Sequence, residues 1–277
     1  MTLADQAITF IGAGAMTEAI VSGLLANNRV NSEQISVTNK NSGERLEELR
    51  NNYHIQTTTD KQQAVERGDI LILAMKPKDV GDALKRLQRF IRDDHVIFSV
   101  LAGTTTDYIS SLIGAECPVV RIMPNTSAKV GASASAISGG EFAGAKDMDL
   151  AASLFSSIGS ITIVPEEKMD SVTGISGSGP AYFYYLLEGL QTAAVESGLT
   201  EADAKALLIQ TMQGAAKRWA QTSESLQSLY EEVMSPGGTT EAAFSVLWEH
   251  EVQEHVTEGA KAAIAKSERL GKVKKRV

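Results

Sequence analysis

Near the start of the chain a short apolar run, residues 7–11, passes directly into Gly12-Ala13-Gly14-Ala15-Met16-Thr17, and a helical pattern follows at residues 18–25. An apolar strand, a glycine turn and a helix, in that order, open a dinucleotide-binding unit. The chain must reverse tightly and bring bare backbone up to a pyrophosphate at the helix N-terminus. Gly12 permits the turn and Gly14 the close approach. Thr17 departs from the pattern, standing where a third glycine or alanine is usual.

The alternation then repeats. Strands are expected at residues 34–38, 54–57, 69–74, 95–100, 118–122 and 160–164, with helices at 43–52, 61–67, 79–91 and 106–113. Strands and helices at this spacing argue for a doubly wound parallel α/β sheet with right-handed crossovers. Such sheets bind ligands outside the carboxyl ends of their strands. Here those ends read Asn39-Lys40-Asn41, Met75-Lys76-Pro77, Leu101-Ala102-Gly103 and Met123-Pro124-Asn125. Asn39 occupies the place of the acidic residue that grips the ribose 2′-hydroxyl of NAD. A neutral amide followed by Lys40 attracts a 2′-phosphate, so the reading favours NADPH and leaves NADH possible.

Beyond residue 165 the strand pattern stops. Helices are expected at 182–197, 204–221, 225–232, from 241 onward, and at 252–270, the last ending at Gly271. Gly198 closes the first of these, and Thr200 with Asp203 opens the second. The expected division is a Rossmann-type domain at 1–165 and an all-helical domain at 166–277. Residues 182–195 are apolar nearly all round and must be buried on several faces. A helical domain this small cannot cover them alone, which predicts a homodimer formed through it.

Two turns interrupt the helical half. Thr173-Gly174-Ile175-Ser176-Gly177-Ser178-Gly179-Pro180-Ala181 reads as a glycine-rich loop feeding a buried helix, with Ser178 as cap and Pro180 near the first helical position. Ser235-Pro236-Gly237-Gly238-Thr239-Thr240 is the second. Each offers hydroxyls, N–H groups and a partial positive charge to a small anion. For the first, a purely structural tight turn is the alternative reading.

Bulk properties narrow the class. A net charge of -8 argues against a nucleic-acid partner. The single cysteine, Cys117, excludes an internal disulfide framework, fits a reducing compartment and reads as a small core residue. No apolar stretch reaches the roughly 18 to 20 residues of a membrane span, and nothing near the N-terminus reads as a signal or transit peptide. The expectation is a cytoplasmic protein with no membrane partner. The basic tail, 272–276, reads as a solvated helix end. The four histidines are scattered, so no metal site is expected. No lysine stands early in the buried helix to act as the acid of a hydroxyacid dehydrogenase. What remains suits binding a small anion and presenting it to a nicotinamide, which is enough for hydride transfer to an already electrophilic carbon.

Taken together, residues 173–181, the turn 235–240, Met75-Lys76-Pro77 and Arg121-Ile122-Met123-Pro124-Asn125 resemble pyrroline-5-carboxylate reductase, in order and along the whole chain. The resemblance implies reduction of 1-pyrroline-5-carboxylate to L-proline with NAD(P)H, the last step of proline biosynthesis. It also implies an intertwined homodimer, in some members built into a larger homo-oligomer. Carried onto this chain, it makes Ser176, Gly177, Ser178 and Gly179 the binders of the substrate carboxylate. Thr240 becomes the catalytic hydrogen-bond partner of the ring nitrogen, with Thr239 beside it and Glu166 and Glu224 as acidic residues near the substrate. Gly12, Ala13, Gly14, Ala15, Met16, Asn39, Lys40, Ala74, Met75, Lys76, Pro77, Ala102 and Asn125 would line the cofactor. Two alternatives stay open: a reductase of another imine or hydroxyacid on the same plan, and a non-catalytic paralogue that binds the cofactor.

Overall fold

The computed structural model describes residues 3–40 and 42–274, so the end of the basic tail lies outside the described residues. Contacts divide the chain into two compact units. One runs to Pro180 and takes in the chain again from Ala262; the other is Ala181–Lys261.

The first unit is built on eight strands: β1 (Ile8–Ile11), β2 (Ile35–Thr38), β3 (Gln56–Thr58), β4 (Ile70–Leu73), β5 (Val96–Ser99), β6 (Val119–Met123), β7 (Ser133–Gly139) and β8 (Gly159–Ile163). Their order is β3-β2-β1-β4-β5-β6-β7-β8, with the first six parallel, the dinucleotide-binding arrangement that reverses at β1/β4. Helices α1 (Ala15–Ala26), α2 (Gly43–Tyr53), α3 (Lys61–Arg67), α4 (Val80–Leu87), α5 (Thr106–Ile113) and α6 (Ala145–Phe155) supply the layers. Side chains alternate across a strand, so each central strand feeds two cores. Phe10, Ile70, Ile72 and Phe98 enter the core with Ile20 and Leu24 of α1 and Phe155 of α6. Ile11, Leu71, Leu73 and Ile97 enter the other, with Leu84 of α4 and Ile109 of α5. Both faces are covered, so β1, β2, β4 and β5 are buried along their whole length, and β4 reads as an unbroken apolar run.

The sheet is not wholly parallel. β7 runs antiparallel to β6, while β8 is parallel to β7. Apart from Ile137, β7 is composed of small residues with little strand propensity, and the sequence reading passed over it and over α6. Pairing on both sides, and a hydrogen bond between the Ser133 and Ser135 hydroxyls at 3.0 Å, hold it in place.

After β8 come α7 (Met169–Val172) and a π-helical turn, Thr173–Gly177. They lead into α8 (Gly179–Glu196), which carries the chain into the second unit with α9 (Glu201–Ala220), α10 (Leu226–Glu232), α11 (Thr239–Glu249) and α12 (Val252–Lys274). Gly198 has φ +100° after α8, and Thr200 and Ser225 cap α9 and α10. Helix α12 does not stop at Gly271, where the sequence placed its end; no left-handed turn forms there and the helix continues to Lys274.

Inside the second unit Tyr230, Phe244 and Trp248 pack ring on ring, with centroids 5.0 and 5.4 Å apart. Many of its other apolar side chains are exposed: Tyr185 is 77% exposed, Phe183 59%, Leu190 56% and Leu207 57%. Among the described residues, Ala204 is the only buried hydrophobic side chain of this unit. A contiguous apolar surface of this kind marks a protein–protein interface.

Candidate active site

A cleft of about 460 Å³ lies at the carboxyl ends of β1, β2 and β4. It is lined by Gly12, Ala13, Gly14, Asn39, Lys40, Ala74, Met75 and Lys76, eight of the residues the sequence assigns to a cofactor. Gly12 has φ +125°, and a Cβ there would sit 2.5 Å from the Ala74 carbonyl carbon. Only glycine fits this tight turn against the end of β4. A Cβ on Gly14 would meet nothing within 4 Å, so its backbone faces open space at the N-terminus of α1. Gly14 is the N-cap there and no side chain caps the helix, which leaves that end to an incoming anion.

Thr17, the departure from the fingerprint, has a structural role. It is fully buried and its hydroxyl donates to the Gly12 carbonyl at 2.8 Å, closing the turn. Arg45 of α2 braces the same turn, donating from Nε to the Ala13 carbonyl at 3.0 Å and pairing with Glu18 at 2.5 Å. The Arg45 hydrogen bond holds the Glu18 carboxyl below its usual value of 4.5, against some desolvation. A lowered carboxyl favours the folded state above pH 4.5, and that contribution is lost as pH falls through the lowered value. Glu18→Gln should therefore flatten the loss of stability below pH 4.5, measured by urea unfolding across pH 3 to 6; an unchanged slope would remove the ion pair from the acid response.

Electrostatics suit a phosphorylated dinucleotide. Lys40, Lys61, Lys76, Lys78 and Arg86 line the cleft against Asp79 and Asp82. The sequence reading missed Lys61, Lys78 and Arg86. Lys61 could have been found from its place just past the carboxyl end of β3, whereas Arg86 lies late in α4 and only folding brings it there. Of the other residues assigned to the cofactor, Ala15 and Met16 form the first turn of α1, and Pro77 opens a short 3-10 turn before α4. Ala102 follows β5 and accepts from the Thr104 hydroxyl at 3.4 Å. None of these four is part of the cleft lining.

The segment 173–181 is not the loop that the sequence suggests. From Met169 to Glu196 the chain stays helical, widened into a π turn at Thr173–Gly177. Ser178 is therefore not an N-cap: it has helical angles, and both its N–H (3.0 Å) and its hydroxyl (3.3 Å) donate to the Thr173 carbonyl. The glycines serve close packing. A Cβ on Gly174 would lie 2.9 Å from the backbone nitrogen of Ile264 in α12, and one on Gly177 would lie 2.8 Å from Met123 Cε. π turns inserted in α-helices are frequent at functional sites. Ser176 donates its hydroxyl proton to the Ala134 carbonyl at 2.8 Å, so toward a ligand its oxygen presents lone pairs.

Glu166 turns inward. It accepts from the Thr106 N–H (2.8 Å) and hydroxyl (2.5 Å) and stands 3.5 Å from Arg121. Arg121 is 2% exposed and also faces Asp170 at 3.5 Å, which accepts from the Ser267 hydroxyl at 2.6 Å. This buried charge cluster ties β6, α7 and the end of α12 together.

In the second unit Thr239 and Thr240 are the first two residues of α11, with Gly238 as N-cap. Gly237 has φ +71° and donates its N–H to Glu241 at 2.6 Å, and the Gly238 N–H donates to the Ser235 carbonyl at 2.9 Å. That arrangement fixes the turn and presents both threonines at a positive helix end. Glu224 is exposed, bonded to Thr222 and near Arg218 at 3.6 Å. Among the described residues no group of three histidine, cysteine or acidic side chains could hold a metal ion. Among the described residues no helix is long and apolar enough to cross a membrane.

Comparisons with known proteins agree with this geometry. Residues 166–270 match the family model for pyrroline-5-carboxylate reductase dimerisation, and residues 7–103 match that of coenzyme F420-dependent NADP oxidoreductases. The chain is 40% identical to pyrroline-5-carboxylate reductase 1 of Bacillus subtilis over 96% of its own length and 90% of that protein's. It is 37% identical to the Corynebacterium melassecola reductase over 96% and 98%. Among solved structures, the Coxiella burnetii pyrroline-5-carboxylate reductase superposes with a TM-score of 0.85 at 34% identity, covering 96% of this chain and 98% of that one. The Plasmodium falciparum pyrroline carboxylate reductase with NADP bound gives 0.89 at 25% identity, with the same coverage. With its fingerprint turn, cationic cleft and two glycine-rich helix junctions in this order, the chain belongs to the pyrroline-5-carboxylate reductase family.

Proposed function

We propose that this protein reduces 1-pyrroline-5-carboxylate to L-proline with NAD(P)H, the last step of proline biosynthesis, and that it works as a homodimer or a larger homo-oligomer. The observation that carries the reading is the cleft where Gly14, the N-terminus of α1 and five cationic side chains meet at the sheet's switch point. When bound there, the cofactor supplies the hydride, and the imine carbon accepts it. The protein's own residues position the two. Gly12 to Met16, Ala74 to Pro77 and Ala102 are the proposed cofactor side. Asn39 and Lys40 receive the 2′-phosphate, which makes NADPH the better donor and NADH the poorer one.

Ser176, Gly177, Ser178 and Gly179 are proposed substrate contacts. Thr240 is the proposed hydrogen-bond partner of the ring nitrogen and the relay for the proton that the new amine takes up, and Thr239 and Glu224 are further proposed contacts. Glu166 bears on the substrate through the Thr106–Arg121 cluster. Proton delivery matters because the iminium form is the better hydride acceptor. A cytoplasmic location fits the single cysteine, whose thiol is buried and pushed up to about 11 by desolvation.

The test is oxidation of NADPH, and separately of NADH, by purified protein with pyrroline-5-carboxylate. Turnover with NADPH preferred is the expected result; no turnover from folded protein would sink the reading. Within it, Lys40→Glu should lower the ratio of kcat/KM for NADPH to that for NADH by about tenfold, the equivalent of one weakened charge contact of about 1.4 kcal/mol. An unchanged ratio would remove Lys40 from the 2′-phosphate site.

A further inference from the structure

Pro180 creates a local deficit. Having no N–H, it cannot donate to the carbonyl four residues back, which is that of Ser176. A carbonyl inside a protein needs a donor, and next to a proline a side chain can add one. Here it comes from the far end of β6: the Asn125 side chain reaches Ser176, with Nδ2 donating to the Ser176 carbonyl at 3.2 Å.

The orientation of this amide is fixed by its neighbours. Asn125 Oδ1 accepts from the Ser127 N–H at 3.1 Å, and the Asn125 N–H donates to the Ser133 hydroxyl at 3.0 Å. A backbone N–H on one side and a carbonyl on the other leave only one way for the amide to point. Asn125 is 8% exposed, and it is not among the residues that line the cofactor cleft. Two further contacts act on the same turn: the Ser176 hydroxyl on the Ala134 carbonyl, and Met123 against Gly177.

We infer that Asn125 is a positioning residue for the imine-binding segment, holding the π turn so that Ser176 to Gly179 keep one geometry. The inference rests on the proposed substrate role of that segment. It departs from the reading of Asn125 as part of the cofactor wall, and the two readings predict opposite kinetics.

The experiment is steady-state kinetics of the full-length protein with Asn125→Asp and Asn125→Ala. Aspartate keeps the acceptor for the Ser127 N–H but turns an oxygen toward the Ser176 carbonyl, and alanine removes the donor without adding charge. Both should raise KM for pyrroline-5-carboxylate by about tenfold, the loss of one buried hydrogen bond of about 1.4 kcal/mol, with KM for NADPH within about twofold. Protonated aspartic acid recovers an O–H donor. The defect of Asn125→Asp relative to wild type should therefore shrink as pH is lowered from 8 to 5, whereas that of Asn125→Ala should not. A rise in KM for NADPH alone would restore the cofactor-wall role and overturn the inference. So would wild-type kinetics in both variants, or a pH-independent defect in Asn125→Asp. Wild-type protein inactive with pyrroline-5-carboxylate would instead overturn the proposed function, which keeps the two failures apart.

Discussion

Thr240→Ala should lower kcat for pyrroline-5-carboxylate by about 10²-fold, the lower end of what a positioned proton donor contributes. The threonine is the second residue of α11 and half-buried, with its turn already fixed by the Gly237 and Gly238 N–H groups. The N-cap is Gly238, so alanine removes a hydroxyl without removing a cap, and stability should change by no more than about 0.5 kcal/mol. The cofactor cleft belongs to the other unit and is lined without Thr240. NADPH binding, measured by fluorescence titration, should therefore hold within about twofold. Equal loss of kcat and of NADPH affinity would show that the hydroxyl does something other than serve the imine nitrogen. Thr240→Ser, which keeps the hydroxyl, should recover most of the rate.

Phe183→Asp should convert the protein to a monomer. In the single chain Phe183 is 59% exposed on α8, among Tyr184, Tyr185, Leu186 and Leu190, which are also exposed. A unit with so little apolar burial of its own draws its core from a second copy. A two-fold interface uses the same patch on both copies, so each substitution acts twice. Burying a carboxylate without a partner costs about 2 kcal/mol or more, and two such sites raise the dimer dissociation constant by about 10³-fold. Sedimentation over a protein concentration series measures this directly. Dimers of unchanged affinity would place the interface elsewhere, and α8 would need another partner to cover it.

Much of this was legible in the chain because its signals are local. Central strands such as Ile70–Leu73 are buried on both faces, so they are written as unbroken apolar runs. Asp60, Thr105, Thr200 and Ser225 cap the helices that follow them, each by a side-chain oxygen within three residues of its donor. Gly12 could be read because its turn constrains its own backbone. The order of these local signals set out the doubly wound half and the helical half.

What the sequence could not give was every feature made by residues distant in the chain. β7 has one strand-forming residue, Ile137, and is held as a strand by its pairing with β6 and β8. The run Gly174 to Pro180 carries the residues that break helices, and in isolation it reads as a loop. Ile264 and Met123 instead fill the space where Cβ atoms would stand, and Asn125 donates to the Ser176 carbonyl that Pro180 cannot serve. Arg121 looks like one more polar residue in a strand until Glu166 and Asp170 are brought to it. Propensity and capping act over a few residues and are written into the chain. Close packing and side-chain donors to backbone carbonyls act across the fold, so the tertiary structure alone decided the shape of the segment from Gly174 to Pro180.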